Sequence, residues 1–122
     1  MELRGKAKDD FEKWLISFFR EKRTDYNNLF TDESILRKFY RKTDVEKNTL
    51  IIEFFDSVGI FINTPPYYMK VEKYNRGFES IVIDEKSGKI YDLDNDEDVF
   101  NSRQEAKNEA IKKANEIYND KY

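Results

Sequence analysis

Thr49–Ile62 reads TLIIEFFDSVGIFI, and the fold turns on whether its first seven residues form a strand or a helix. Their β-branched and aromatic composition is that of a buried strand. Spacing decides the other way. Leu50, Ile51, Phe54, Phe55 and Val58 recur at i, i+1, i+4, i+5 and i+8, which lines one face of a helix. Thr43 to Glu46 matches a capping box, and Gly59 stands where a helix ends in a left-handed residue. The reading is a helix over 44–58 that runs directly into a strand from Ile60.

Beyond Gly59 the pattern becomes one of short strands: IFIN (60–63), YYMKVEKY (67–74), FESIVID (78–84) and KIYDL (89–93). Pro65-Pro66, a turn at Asn75-Arg76-Gly77 and the hairpin sequence DEKSG (84–88) separate them. An antiparallel meander of three to four strands is expected. The acidic run DNDEDVFN (94–101) then leads to a last helix over 102–119, opened by a second capping box, Ser102 to Glu105. Ala106, Ala110, Ala114, Ile117 and Tyr118 share one face of it, and the small residues let it lie close to a sheet.

Upstream, KAKDDFEKWLISFFREK (6–22) places Ala7, Phe11, Trp14, Leu15, Phe18 and Phe19 at helical spacing, with Asp9 and Asp10 early and Arg20, Lys22 and Arg23 late, as a helix dipole prefers. A polar loop, TDYNN, separates it from LFTDESILRKFYRK (29–42), where Thr31 or Asp32 is the N-cap and Phe30 with Ile35 has the spacing of a hydrophobic staple. The fold class is therefore α+β. An αβββα-like core (44–122), its antiparallel sheet covered by helices, carries two extra N-terminal helices (1–43) within a single domain (1–122), which they join through Phe11, Trp14, Leu15 and Phe18.

Composition narrows the chemistry. At 122 residues, 39% hydrophobic and 39% charged, the chain has the balance of one globular domain, and 10 Phe and 8 Tyr supply large buried area. With no cysteine and no histidine, thiol nucleophiles, disulfides, His/Cys zinc sites and imidazole acid-base catalysis are excluded. The N-terminal MELRGKAKDDFEKW lacks the apolar core of a signal peptide, and no run reaches a membrane span, so a cytoplasmic site is expected, without cofactor. The net charge of −3 is unevenly placed: residues 48–101 carry 11 acidic against 5 basic side chains. That balance opposes general nucleic-acid affinity.

The helix–strands–helix order of residues 44–119, ending in SRQEAK (102–107), resembles the double-stranded RNA-binding domain. The resemblance implies phosphate contacts from Arg103 and Lys107, with Gln104 where that family has a lysine; its Gly-Pro-x-His loop would fall near YNRG, which has no His. A further cationic face lies in RKFYRK, where Arg37, Lys38, Arg41 and Lys42 stand opposite Ile35, Leu36, Phe39 and Tyr40; it also suits the C-terminal end of a helix. The alternative function is thus a duplex-RNA-binding module using these six basic residues. Against it stand Asp92, Asp94, Asp96, Glu97 and Asp98, five carboxylates that would repel a duplex.

EFFDSVGIFI (53–62) and SRQEAKNEAIKKANEIYN (102–119) look like small uncharacterised phage and prophage proteins of Bacteroidetes. That resemblance implies a small accessory product of a mobile element working in a bacterial cytosol, and such products often inhibit host machinery, anti-CRISPR proteins among them. The expected function is binding rather than catalysis, with a host protein or ribonucleoprotein complex as partner. Asp92, Asp94, Asp96, Glu97 and Asp98 would imitate nucleic-acid phosphates before a basic groove, and Tyr67 and Tyr68 would add aromatic anchors.

Two metal readings rank lower. Asp92, Asp94 and Asp96 open like an EF-hand loop, but Glu97 replaces the glycine at its sixth position and Arg103 the glutamate at its twelfth. Asp56 with Asp84 and Lys86 has the elements of an Asp…Asp-x-Lys hydrolase centre, yet DEKSG is accounted for by its own turn.

Overall fold

A computed structural model describes residues 2–22, 30–68, 76–93 and 100–122. In chain order it contains α1 (Gly5–Lys22), α2 (Asp32–Tyr40), α3 (Asp44–Ser57), β1 (Ile60–Asn63), β2 (Pro66–Tyr68), β3 (Arg76–Phe78), β4 (Ile81–Asp84), β5 (Lys89–Asp92) and α4 (Arg103–Lys121). The class is α+β. TLIIEFF is helical within α3, and its local signals close as expected: Thr43 Oγ1 accepts from Glu46 N at 3.3 Å, and Gly59 takes a φ of 87°. Thr31 caps α2 by the same bond to Ser34 N, and Ser102 caps α4 by a bond to Glu105 N. Glu105 reaches back to Asn101 N at 3.2 Å, so it satisfies the residue before the cap.

The sheet departs from a simple meander. β1 pairs antiparallel with β4, and β4 with β5, in the order β1-β4-β5, while β2 and β3 form a separate two-stranded sheet inserted between β1 and β4. Pro65 and Pro66 have no N–H, so the segment after β1 cannot extend its ladder, and Pro66 pairs with Phe78 instead. Arg76 and Gly77 are strand residues, which corrects the turn expected there. FESIVID is divided at Glu79-Ser80, where Glu79 N bonds Pro65 O, and the Ser80 hydroxyl donates to Ala106 O at 2.7 Å beneath α4. Of YYMKVEKY only Tyr67 and Tyr68 fall within a described strand; its remaining residues lie outside the described ones.

α3 and α4 pack on one face of the three-stranded sheet and α1 crosses both, with α2 against α1. Their apolar side chains meet in one cluster that joins Ala7, Phe11 and Leu15 of α1, Phe39 of α2, Ile51, Phe54 and Phe55 of α3, Ile60, Val82, and Ala110, Ile111, Ala114, Ile117 and Tyr118 of α4. Phe11 stacks edge-on to Phe54, and Trp14 lies against Phe54 and Phe18. Phe11, Phe39 and Phe55 are enclosed, each worth about 2–3 kcal/mol of burial.

The start of α1 is held from the far end of the chain. No acidic residue stands in its first turn, because the helix begins at Gly5 and leaves Asp9 and Asp10 further in than expected. Asn119 of α4 supplies the missing cap: its Oδ1 accepts from Ala7 N at 2.8 Å and its Nδ2 donates to Arg4 O at 2.9 Å. Asn115 Oδ1 accepts from Arg4 N. Gly5, at a φ of 65°, permits the approach, since a Cβ there would stand 3.0 Å from Asn119 Nδ2.

Candidate interaction surface

Strand alternation divides the three-stranded sheet. Ile60, Ile62, Val82, Asp84 and Tyr91 face the helices; Phe61, Asn63, Ile81, Ile83, Ile90 and Asp92 face the other way. Register places Phe61 opposite Ile83 and Ile83 opposite Ile90, an apolar row across all three strands. None of Phe61, Ile81, Ile83 and Ile90 joins the hydrophobic core, and Phe61 and Ile90 are 39% and 69% exposed. This face was not among the expected site residues. Its signal was IFI and IVI, apolar at every position where a strand with one solvated face should alternate.

On the helix face Asp84 is fully enclosed. Its Oδ1 accepts from Lys86 N at 3.2 Å and from the Tyr122 hydroxyl at 3.0 Å; its Oδ2 accepts from the Ser87 hydroxyl at 2.8 Å and faces Lys121 Nζ at 3.5 Å. Burial alone would push this carboxyl up, but the bonds from Ser87, Tyr122, Lys121 and Lys86 N together hold it below its ordinary range. Tyr122, partly buried and bonded to that carboxylate, is pushed up to about 12. Asp84 thus fastens the β4–β5 turn to the end of α4. Asp56 is exposed at the end of α3, and among the described residues no three His, Cys, Asp or Glu side chains are placed to hold a metal ion.

Outside this knot, Glu53, Asp56 and Glu85 stand near the C-terminal end of α3, and Asp92 at the other end of the sheet. Glu53 and Asp56 stand in the last turns of α3 with no basic residue, where a helix dipole favours cations. Partial burial and then the Glu53 charge push the Asp56 carboxyl above its usual range. Glu85 hangs over Gly59, its Oε2 3.1 Å from where a Cβ would be. Asp92 ends β5 on the open face; Asp94, Asp96, Glu97 and Asp98 lie outside the described residues. Tyr67 and Tyr68 lie on β2 of the small sheet.

The cationic residues are dispersed. Arg103 at the start of α4 lies over the Phe78 ring at 5.0 Å, and Lys107 is half-buried one turn on. Arg37 pairs with Glu33, Lys38 lies over Phe30, and Lys42 pairs with Glu46 at 3.9 Å. α2 ends at Tyr40, so Arg41 is its C-cap and Lys42 falls outside the helical face expected to contain it. Opposite them Ile35 and Phe39 are buried, while Tyr40 is exposed and donates to Glu12.

Comparison with family models, with curated proteins and with solved structures finds no match. Among the described residues no helix is long and apolar enough to cross a membrane.

Proposed function

We propose that the chain is a non-enzymatic accessory protein of phage type that binds a cationic host protein and inhibits or modulates it. A nucleic-acid-handling defence complex is the partner class that this reading favours, as for anti-CRISPR proteins. Support comes from charge held where the fold gains nothing from it. Glu53 and Asp56 oppose the α3 dipole and each other, and Glu85, close to Gly59, adds to the same sign. Local rules broken without structural return mark functional surface, and a basic partner would relieve the repulsion.

The test is capture from a bacterial host lysate with and without nuclease, followed by association kinetics with the captured protein. Changing Asp94, Asp96, Glu97 and Asp98 to Asn or Gln should slow association and flatten its salt dependence while leaving the fold intact. Wild-type rate and salt dependence in that variant would refute phosphate imitation. Capture lost on nuclease treatment would instead favour the RNA-binding reading, which the placement of α3 and α4 on one sheet face makes the second choice.

A further inference from the structure

We infer that the open face of the β1-β4-β5 sheet docks an amphipathic, lysine- or arginine-flanked protein helix, whose apolar side chains cross the row Phe61, Ile83, Ile90. The inference rests on the binding role proposed above and names the surface that performs it. Four large apolar side chains stand on this face outside the core, and the two most exposed, Phe61 and Ile90, belong to its outer strands. Nothing in the packing of the described helices requires them to be apolar, since those helices lie against the other face.

Charge selects the occupant. Among the described residues the three strands place no basic side chain on this face: its polar members are Asn63 and Asp92. Neighbouring lysines are drawn to the helix side, where Lys86 lies over the Tyr122 ring at 4.5 Å, Lys113 over Tyr91 at 4.7 Å, and Lys121 beside Asp84. Carboxylates bracket the apolar row, with Glu85 in the turn at one end and Asp92 at the other. Three residue pairs of strand separate those ends, about 13 Å, close to the roughly 11 Å spanned by two turns of helix. A helix with an apolar stripe and cations two turns apart fits that pattern. A duplex would meet like charge, and a second copy would bring the same acidic rim and its own net charge of −3.

The probe is a fluorescently labelled Leu/Lys peptide of about 18 residues with leucines on one helical face, and the readout is anisotropy. Wild type should bind it and ignore the Leu/Glu counterpart. Phe61→Ser with Ile90→Ser should weaken binding at least about tenfold, and Ile90→Ser alone, at an exposed position, should weaken it severalfold with an unchanged circular-dichroism melt. Undiminished binding in the serine variants overturns the inference. If those variants bind normally while neutralising residues 94, 96, 97 and 98 removes binding, this docking face is wrong and the acidic-surface reading stands. If neither change matters, both fall. A wild-type dimer in sedimentation that Ile90→Ser dissociates would make a second copy the occupant and overturn the inference too.

Discussion

Asp84→Asn should destabilise the protein by about 2 kcal/mol at neutral pH and leave it folded. The amide keeps Oδ1, and with it the bonds from Lys86 N and the Tyr122 hydroxyl, but it replaces Oδ2, where Ser87 donates at 2.8 Å and Lys121 stands at 3.5 Å. Ser87 can rotate and accept, so much of the loss is the charge assistance to the remaining bonds, with little from half-exposed Lys121. The folded carboxyl sits below its ordinary value, so its contribution is present above about pH 4 and is lost as pH falls through the folded value. Urea denaturation of wild type and variant at pH 7 and again near pH 2.5 reads this directly. The gap between them should shrink in acid, because wild type then carries a protonated Asp84 and the variant has no such group. A gap that persists unchanged in acid, or none at neutral pH, would refute the role given to this carboxylate.

Asn119→Ala should cost about 1–2 kcal/mol, seen as a lower midpoint in thermal melts, because Ala7 N–H and Arg4 C=O lose their partners together. Asn119→Asp keeps the acceptor and places a negative charge at a helix N-terminus, so it should recover much of that loss. In a salt titration with duplex RNA, wild type should bind no tighter than micromolar at physiological salt; submicromolar affinity abolished by Arg103→Glu with Lys107→Glu would restore the RNA-binding reading.

What the residues determined by themselves is what closes within a few positions. Thr31, Thr43 and Ser102 each cap the helix that follows through an N–H three residues away. Gly59 and Gly88 take the positive φ that their positions require, and the spacing of Leu50 to Val58 overrode strand-like composition in α3. Hydrogen bonds of that range cost little chain entropy to form, so local letters suffice to specify them. The acidic bias of residues 48–101 was also plain in the letters, as was the place of Asp84 in its turn, but not that Asp84 is enclosed against Lys121 and Tyr122 while Asp92 faces outward.

Only tertiary structure decided the rest. Whether β1 pairs with the next segment or with β4 depends on where Pro65 and Pro66 divert the chain, and period-two alternation is blind to partner choice. The cap of α1 comes from Asn119, more than a hundred residues away. Buried Asn48 likewise finds Asn108 only once α3 and α4 lie side by side. The apolar face carrying Phe61, Ile83 and Ile90 existed in the letters as IFI, IVI and a lone Ile90, three fragments with no stated relation. Register brings them into one row, and the described helices that meet this sheet pack on its other side.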